Sequence, residues 1–207
     1  MLAEFKGRWR AIFADAIERL ALVLLYAPFV LALAATLPSH PWWVLVAISE
    51  SLAVVLILIR KPGTMAFAPY PFLIGFAGTA LPLFIRPVEG AALILAALTV
   101  TLMVAGLAVN IAAKLFLNRS FGVVAANRGV KRGGPYRLVR HPMYLGYFAT
   151  QFGFLLSSFS IQNLALYLIA WVFQLLRILE EERFLSLDPA YRAYQSTVRY
   201  RLFPGLV

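Results

Sequence analysis

Apolar runs close to the length of a bilayer crossing recur along this chain, and they leave few options for its fold. A helix needs about 20 mostly apolar residues to cross the hydrocarbon core. Runs of that kind fall at about 18–37, 42–59, 65–85 and 91–116. A shorter pair follows, at about 142–157 and 164–179, joined by a turn over Ser157–Asn163. Composition agrees: 62% of the residues are hydrophobic and the mean hydropathy is +0.81, whereas a soluble domain is only about half apolar. No strand-like alternation competes with the helical reading. The expected fold is all-α, a polytopic transmembrane helical bundle of about 5–6 spans. Its last two spans form a short helical hairpin, followed by a cytoplasmic C-terminal tail over 180–207. The chain reads as one integral-membrane domain, 1–207, with N-terminal spans in 1–116 and the functional region in 117–207.

Local features refine this outline. The first span ends at Pro38, and the second opens on Trp42 and Trp43, a pair suited to the membrane interface. The third carries Pro69, Pro71 and Pro82 with Gly75 and Gly78, so kinks and close helix contacts are expected there. Basic residues, an apolar run from Leu20 and Ala32-Leu33-Ala34 resemble a signal peptide, but the segment is read as a first span. The chain has no cysteine, which excludes disulfides and thiolate chemistry, and its two histidines, His40 and His141, offer little to a metal. No internal repeat or low-complexity tract stands out.

The net charge of +10 raises the question of nucleic acid, but its distribution points to topology instead. Lys6, Arg8, Arg10 and Arg19 precede span one; Arg60 and Lys61 follow span two. Arg119, Arg128, Lys131, Arg132, Arg137 and Arg140 follow span four. The alternate loops, 38–41 and 86–90, hold only Arg86. The positive-inside rule therefore places the N-terminus, 117–141 and the tail in the cytoplasm, at a bacterial inner membrane or an endomembrane. Asn118-Arg119-Ser120 is a glycosylation sequon in form only, since it lies on that side.

Chemistry concentrates in Gly133–Gly146. Pro142 disfavours helical geometry at His141 and is well suited to the first helical position. A helix should therefore start at Pro142, with His141 at its cap and Tyr144 in its first turn. Such a start offers free backbone N–H groups and a positive dipole end. With Arg137, Arg140 and the imidazole beside it, it suits a carboxylate or a phosphate. The bland alternative is that these arginines snorkel to lipid headgroups. The run Glu180-Glu181-Glu182 supplies the opposite charge. Arg177 and Glu181, four apart, can pair on one helix face, while Glu181 and Glu182 point in different directions. At least one carboxylate is then free for an ammonium or a ribose diol, unless the run is only a solvated helix end. Tyr191, Tyr194, Arg199, Arg201 and Pro204 return the tail to the membrane surface.

Taken together, Gly134-Pro135-Tyr136, Arg140-His141-Pro142-Met143-Tyr144-Leu145-Gly146, Glu181-Glu182-Arg183-Phe184-Leu185, Tyr191-x-x-Tyr194 and Arg201 near Pro204 carry a family resemblance. Over about 118–207 the chain resembles the isoprenylcysteine carboxyl methyltransferase and phospholipid methyltransferase superfamily, integral-membrane enzymes that use S-adenosylmethionine. The resemblance implies a cofactor pocket formed by Tyr136, Arg140, His141, Tyr144 and Gly146, with Glu181 and Glu182 binding from the other side. It further implies catalytic roles for Glu182 and for Arg199 or Arg201 near the reacting group. The tail departs from the prenyl-protein enzymes, which read Arg-Val-Pro soon after the second tyrosine; here Gln195–Arg201 intervenes, which leaves the equivalent arginine open. The acceptor implied is a lipophilic molecule from the bilayer: a lipid amine, a prenyl-type carboxylate or a thiol.

The residues suit that cofactor independently, because cations, carboxylates and aromatics lie near one membrane face. No Gly-x-Gly-x-x-Gly follows a strand, so a soluble dinucleotide-type site is not expected. Methyl transfer is an in-line displacement that demands alignment; an amine or thiol acceptor would also need a base, for which Glu181 or Glu182 is nearest. Two alternatives stand beside this reading: an NADPH-dependent membrane sterol or isoprenoid reductase, and a non-catalytic lipid-binding protein. Neither the acceptor nor the oligomeric state is legible. Glu50 lies mid-span between Ser49 and Ser51, where a charge costs about 2.5–3.5 kcal/mol, and an interhelical hydrogen bond is its favoured role over a functional one. For Lys114 snorkelling is expected, for Asn110 helix packing, and for His40 a plain loop position.

Overall fold

The computed structural model describes residues 13, 15–28, 31, 44–61, 63–65, 69–85 and 92–205. The expectations for Lys6, Arg8, Arg10, Pro38, His40, Trp42, Trp43 and Arg86 lie outside the described residues, as does most of 29–37. Helix α1 covers 15–28, α2 Val44–Ile59 and α3 Pro69–Ala80, which a 3-10 turn at Leu81–Phe84 continues. Then come α4 (Ala96–Leu117), α5 (Pro142–Ser157), α6 (Ile161–Leu185) and α7 (Pro189–Thr197). Among the described residues the only strands are two residue pairs: β1 (Thr64–Met65) runs antiparallel to β2 (Ala126–Asn127).

Among the described residues two helices are long and apolar enough to cross a membrane: Ala96–Ser120, which is α4 with its following 3-10 turn, and Ile161–Leu185. The described parts of α2 and α3 are apolar but shorter. The outer face of α6 is a run of exposed apolar side chains, Ile161, Leu168, Val172, Leu175 and Leu179, at the three-, four- and seven-residue spacings of one helix stripe. Such a surface fits hydrocarbon rather than water.

The second arm of the hairpin differs from expectation. It is a 25-residue helix, not a short arm, and it carries Glu180, Glu181 and Glu182 inside its last turns rather than in a tail. Hydropathy stops at the first carboxylate, whereas backbone hydrogen bonding continues because these glutamates find partners. Ser160 caps the start of α6 by accepting from the Asn163 N–H, and Asp188 caps α7 from the Ala190 N–H, with Pro189 at its first position.

Helices α4 and α5 make the closest packing. A Cβ on Gly146 would lie 2.6 Å from the Gly106 carbonyl oxygen and the Asn110 nitrogen, and one on Gly106 would lie 2.6 Å from the Thr150 nitrogen. Facing glycines let the two backbones touch, as small residues do between membrane helices. Helix α3 packs on α6, where Gly78 lies against Phe173 and Gln174. Trp171 of α6 donates to Gln151 of α5 at 2.8 Å.

One end of this bundle gathers the polar segments. Arg60 pairs with Glu18 at 2.7 Å, and the same Glu18 oxygen accepts from the Val123 and Val124 N–H groups at 3.0 and 3.2 Å. Lys61 N–H donates to Arg119 O at 2.8 Å, and Arg119 Nε to Ile59 O at 2.9 Å. Asn127 donates to Asp188 at 2.7 Å. The start of α1, the end of α2, the segment after α4 and the tail therefore share one end, as the charge pattern requires.

Candidate active site

The site forms where α5 begins and α6 ends. His141 sits at the cap position of α5 with non-helical geometry (φ −126°, ψ 57°), and Pro142 is the first helical residue. The tail is tied to this corner by backbone pairing: Arg140 N–H donates to Tyr200 O and His141 N–H to Arg201 O, both at 2.9 Å.

Arg140 is engaged by the protein through two of its three nitrogens. Its Nε meets Glu182 Oε1 at 2.6 Å, and its Nη1 donates to the Val198 and Arg199 carbonyls at 2.9 and 2.7 Å. Glu182 is a hub: Oε1 also lies 3.2 Å from His141 Nε2, and Oε2 accepts from Arg201 Nε at 2.9 Å. This knot fastens α6, the α5 cap and the tail together. The free cation expected at Arg140 is therefore spent inside the protein, because its partners lie about forty to sixty residues further along the chain.

Glu181 faces the other way. Its Oε1 accepts from the Tyr144 hydroxyl at 2.5 Å and from Arg177 Nε at 3.2 Å, and its Oε2 is 3.9 Å from His141 Nδ1. The i,i+4 pairing of Arg177 with Glu181 is as the spacing anticipates. The Arg177 guanidinium also lies 5.3 Å from the Tyr144 ring centre and donates to Gly122 O at 3.1 Å. Among the described residues Glu180 meets only Arg183, at 3.8 Å.

A cavity opens beside this group. Of the residues singled out in sequence, Tyr136, Arg140, His141, Tyr144 and Glu181 line it; Glu182, Gly146, Arg199 and Arg201 do not. Gly146 instead sits at the α4 contact, Arg199 contributes its carbonyl while its side chain is exposed, and Arg201 reaches Glu182. The opposite wall comes from the segment after α4, including Gly122, Val124, Arg128 and Lys131, with Met143 and Tyr191 completing it. Burial, reinforced by Glu181, holds the Tyr136 phenol well above its usual range. Burial does the same for Tyr191, with Glu182 and Glu181 adding to it. Both phenols are thus neutral donors at physiological pH.

Three polar atoms in the lining are buried without a partner among the described residues: Arg128 Nε, Arg128 Nη2 and Tyr191 Oη. Buried polar atoms are ordinarily paired, so these three set this wall apart from the rest of the corner. Arg128 was legible in sequence only as one cation among many, and Tyr191 only as part of a spaced tyrosine pair.

A second polar cluster lies deeper. Lys114 is fully buried and does not snorkel: its Nζ donates to Ser49 O and Oγ, both at 2.9 Å, and lies 3.6 Å from Glu50 and 5.3 Å from the Tyr147 ring centre. Glu50 and Ser49 across the helix contact are the reason, since pairing there replaces the water that snorkelling would reach. Asn110 accepts from Ser49 at 3.0 Å and donates to Met143 O at 3.0 Å, so it does pack helices. Met143 belongs to the cavity wall, which sets this cluster against the floor of the site.

A model of the phospholipid methyltransferase family matches residues 86–191, just over half of the chain. The chain belongs to that family. The matched stretch contains α4, the cavity wall, the Arg140-His141-Pro142-x-Tyr144 corner and Glu181-Glu182, and it stops before Arg199 and Arg201. No curated protein and no solved structure matches the chain. Family membership and the two apolar helices make this a membrane protein of methyltransferase class.

Proposed function

We propose that the protein transfers a methyl group from S-adenosylmethionine to a lipophilic acceptor, with the cavity between α5, α6 and the 120–131 segment as the cofactor site. The observation that carries this reading is the unpartnered polar lining of that cavity, Arg128 and Tyr191, opposite Glu181, inside the family-matched stretch. The donor set fits the group: a cation for its carboxylate, a carboxylate for its ammonium or ribose hydroxyls, and the Tyr136 and Tyr144 rings for its adenine. When bound, S-adenosylmethionine supplies an activated methyl group on a sulfonium leaving group.

The protein's own residues align and shield. Glu181 is held by Tyr144 and Arg177, which leaves Oε2 to accept from a ligand or to take a proton from an amine or thiol acceptor. A carboxylate acceptor needs no such step. Glu182, with Arg140 and His141, positions the corner rather than touching the ligand, and Arg201 acts through Glu182. Of the two tail arginines, Arg201 is therefore the one assigned to the site. The acceptor enters from the lipid beside the apolar helices, and the polar end of the bundle faces the cytoplasm over about 5–6 spans.

The test is calorimetric titration of the detergent-purified protein with S-adenosylhomocysteine, with NADPH as the contrasting ligand. Saturable heat that weakens at least tenfold in Tyr144→Phe supports the reading. No heat with S-adenosylhomocysteine but clear heat with NADPH overturns it in favour of a reductase. Methyl label transferred from S-adenosylmethionine into a lipid fraction of treated membranes then identifies the acceptor.

A further inference from the structure

The site cavity holds a cation without an anion. Each of the other four described arginines with a mostly buried side chain has a carboxylate partner: Arg19 has Asp15, Arg60 has Asp15 and Glu18, Arg140 has Glu182, and Arg177 has Glu181. Arg128 makes no ion pair and no side-chain hydrogen bond among the described residues, yet its Nε and Nη2 are shut away from solvent. Its surroundings are electrically mixed, with Arg60 and Arg19 opposing Glu18 and Asp15. Burial, then the charge on Arg60, lowers its pKa to about 10, so the guanidinium remains charged at neutral pH.

The fold makes room for this side chain. A Cβ on Gly122 would lie 2.4 Å from Arg128 Nη1, and one on Gly63 would lie 2.6 Å from its Cγ. Ser120 Oγ holds the Arg128 carbonyl at 3.0 Å, which fixes the backbone from which the side chain enters the cavity. An ionised group removed from water and left unpaired is among the costliest arrangements a protein keeps. A guanidinium held in that way is preorganised for a planar, two-oxygen partner. Tyr191 Oη adds a neutral donor to the same lining.

We infer that Arg128 binds an oxyanion of the molecule that occupies this cavity, with Tyr191 as a second donor to that molecule. Two sources share this chemistry: the amino-acid carboxylate of the cofactor, and the phosphodiester of a phospholipid acceptor. The inference rests on the cavity being the cofactor and acceptor site, as proposed above, and it assigns the recognition of negative charge to Arg128 in place of Arg140.

The experiment uses full-length protein carrying Arg128→Gln, Arg128→Lys or Arg128→Met. Calorimetry compares S-adenosylhomocysteine with 5′-methylthioadenosine, which keeps the nucleoside thioether and lacks the amino-acid part. If the partner is the carboxylate, Arg128→Gln weakens S-adenosylhomocysteine by about 10–100-fold, the range of a charge-assisted pair, and leaves 5′-methylthioadenosine unchanged, while Arg128→Lys recovers part of the loss. If the partner is the phosphodiester, both nucleosides bind Arg128→Gln normally. The KM for methyl transfer to phosphatidylethanolamine vesicles then rises about tenfold or more, and that for a long-chain alkylamine does not. Loss of both nucleosides to the same extent, or of nothing in any arm, overturns the inference. A ligand-free melt separates it from the cofactor reading. Arg128→Met removes an unpaired buried charge and should melt above the wild type, even if the wild type binds no S-adenosylhomocysteine. A lower melting point overturns the inference, whatever becomes of the cofactor.

Discussion

The same end of this molecule carries two buried ionic networks, and they are built to different rules. In the clasp between α1, α2 and the segment after α4, two carboxylates, Asp15 and Glu18, face two arginines, Arg19 and Arg60. Glu18 also gathers two backbone N–H groups, so the clasp spends its charge on holding chain segments together. At the site, two carboxylates, Glu181 and Glu182, face Arg140, Arg177 and Arg201; Arg128 lines the cavity without an ion pair among the described residues, and the charges around it are those of the clasp, Arg60, Glu18, Asp15 and Arg19. A balanced network is what a structural joint needs. An excess of cation in a cavity costs stability and is repaid only on binding, which distinguishes a site from a joint.

Breaking each hub should expose that difference most strongly. Glu182→Ala leaves Arg140 buried without its carboxylate and should cost about 3–5 kcal/mol, with methyl transfer falling below detection. Glu18→Ala should cost a similar amount by stranding Arg60. Its folded fraction should still bind S-adenosylhomocysteine with wild-type affinity, as judged by calorimetry beside a thermal melt. If Glu18→Ala abolishes binding without loss of melting temperature, the two networks do not divide as described.

A smaller effect is expected where backbones touch. Gly146→Ala forces a methyl group into the Gly106 carbonyl and Asn110, and should cost about 1–3 kcal/mol through overpacking. A melting temperature within error of the wild type would show that α4 and α5 can part freely. The deeper cluster offers a comparable test. Lys114→Met and Glu50→Gln should each destabilise, and the double variant should be less harmed than their sum, with a coupling of about 0.5–3 kcal/mol in a double-mutant cycle. Strict additivity would mean that the 3.6 Å pair contributes nothing.

The smallest effect belongs to the tail. Tyr194 donates to Tyr136 O at 2.7 Å, and Tyr194→Phe should cost about 1 kcal/mol. Burial lifts the Tyr194 phenol to about 12, whereas an unfolded tyrosine titrates near 10. A raised folded pKa gives stability that is complete below pH 10 and lost as pH rises through 12. Melting temperatures should therefore decline less steeply over that window in Tyr194→Phe than in the wild type; parallel declines would remove Tyr194 from the account.

Two local features of the corner between α5 and α6 are legible in the sequence. Pro142 dictates a helix start, because proline suits the first helical position and disfavours helix at the residue before it. Arg177 and Glu181 pair because they are four apart on a helix. The clasp was not readable, since Glu18 is one acid among basic neighbours and its partners, Arg60 and Val123, lie 42 and 105 residues away. The end of α6 was misjudged for a related reason: three consecutive glutamates look like a terminus until their partners are known.

By itself, then, the sequence determined that the chain is apolar and helical, where the helix after His141 begins, and which residues pair one turn apart. Those are properties of hydropathy, local dihedral preference and short spacing. Only the tertiary structure decided which of two cavity-lining arginines has a carboxylate partner among the described residues. Arg140 and Arg128 are alike as residues, and the whole difference is that folding brings a carboxylate to one and none to the other.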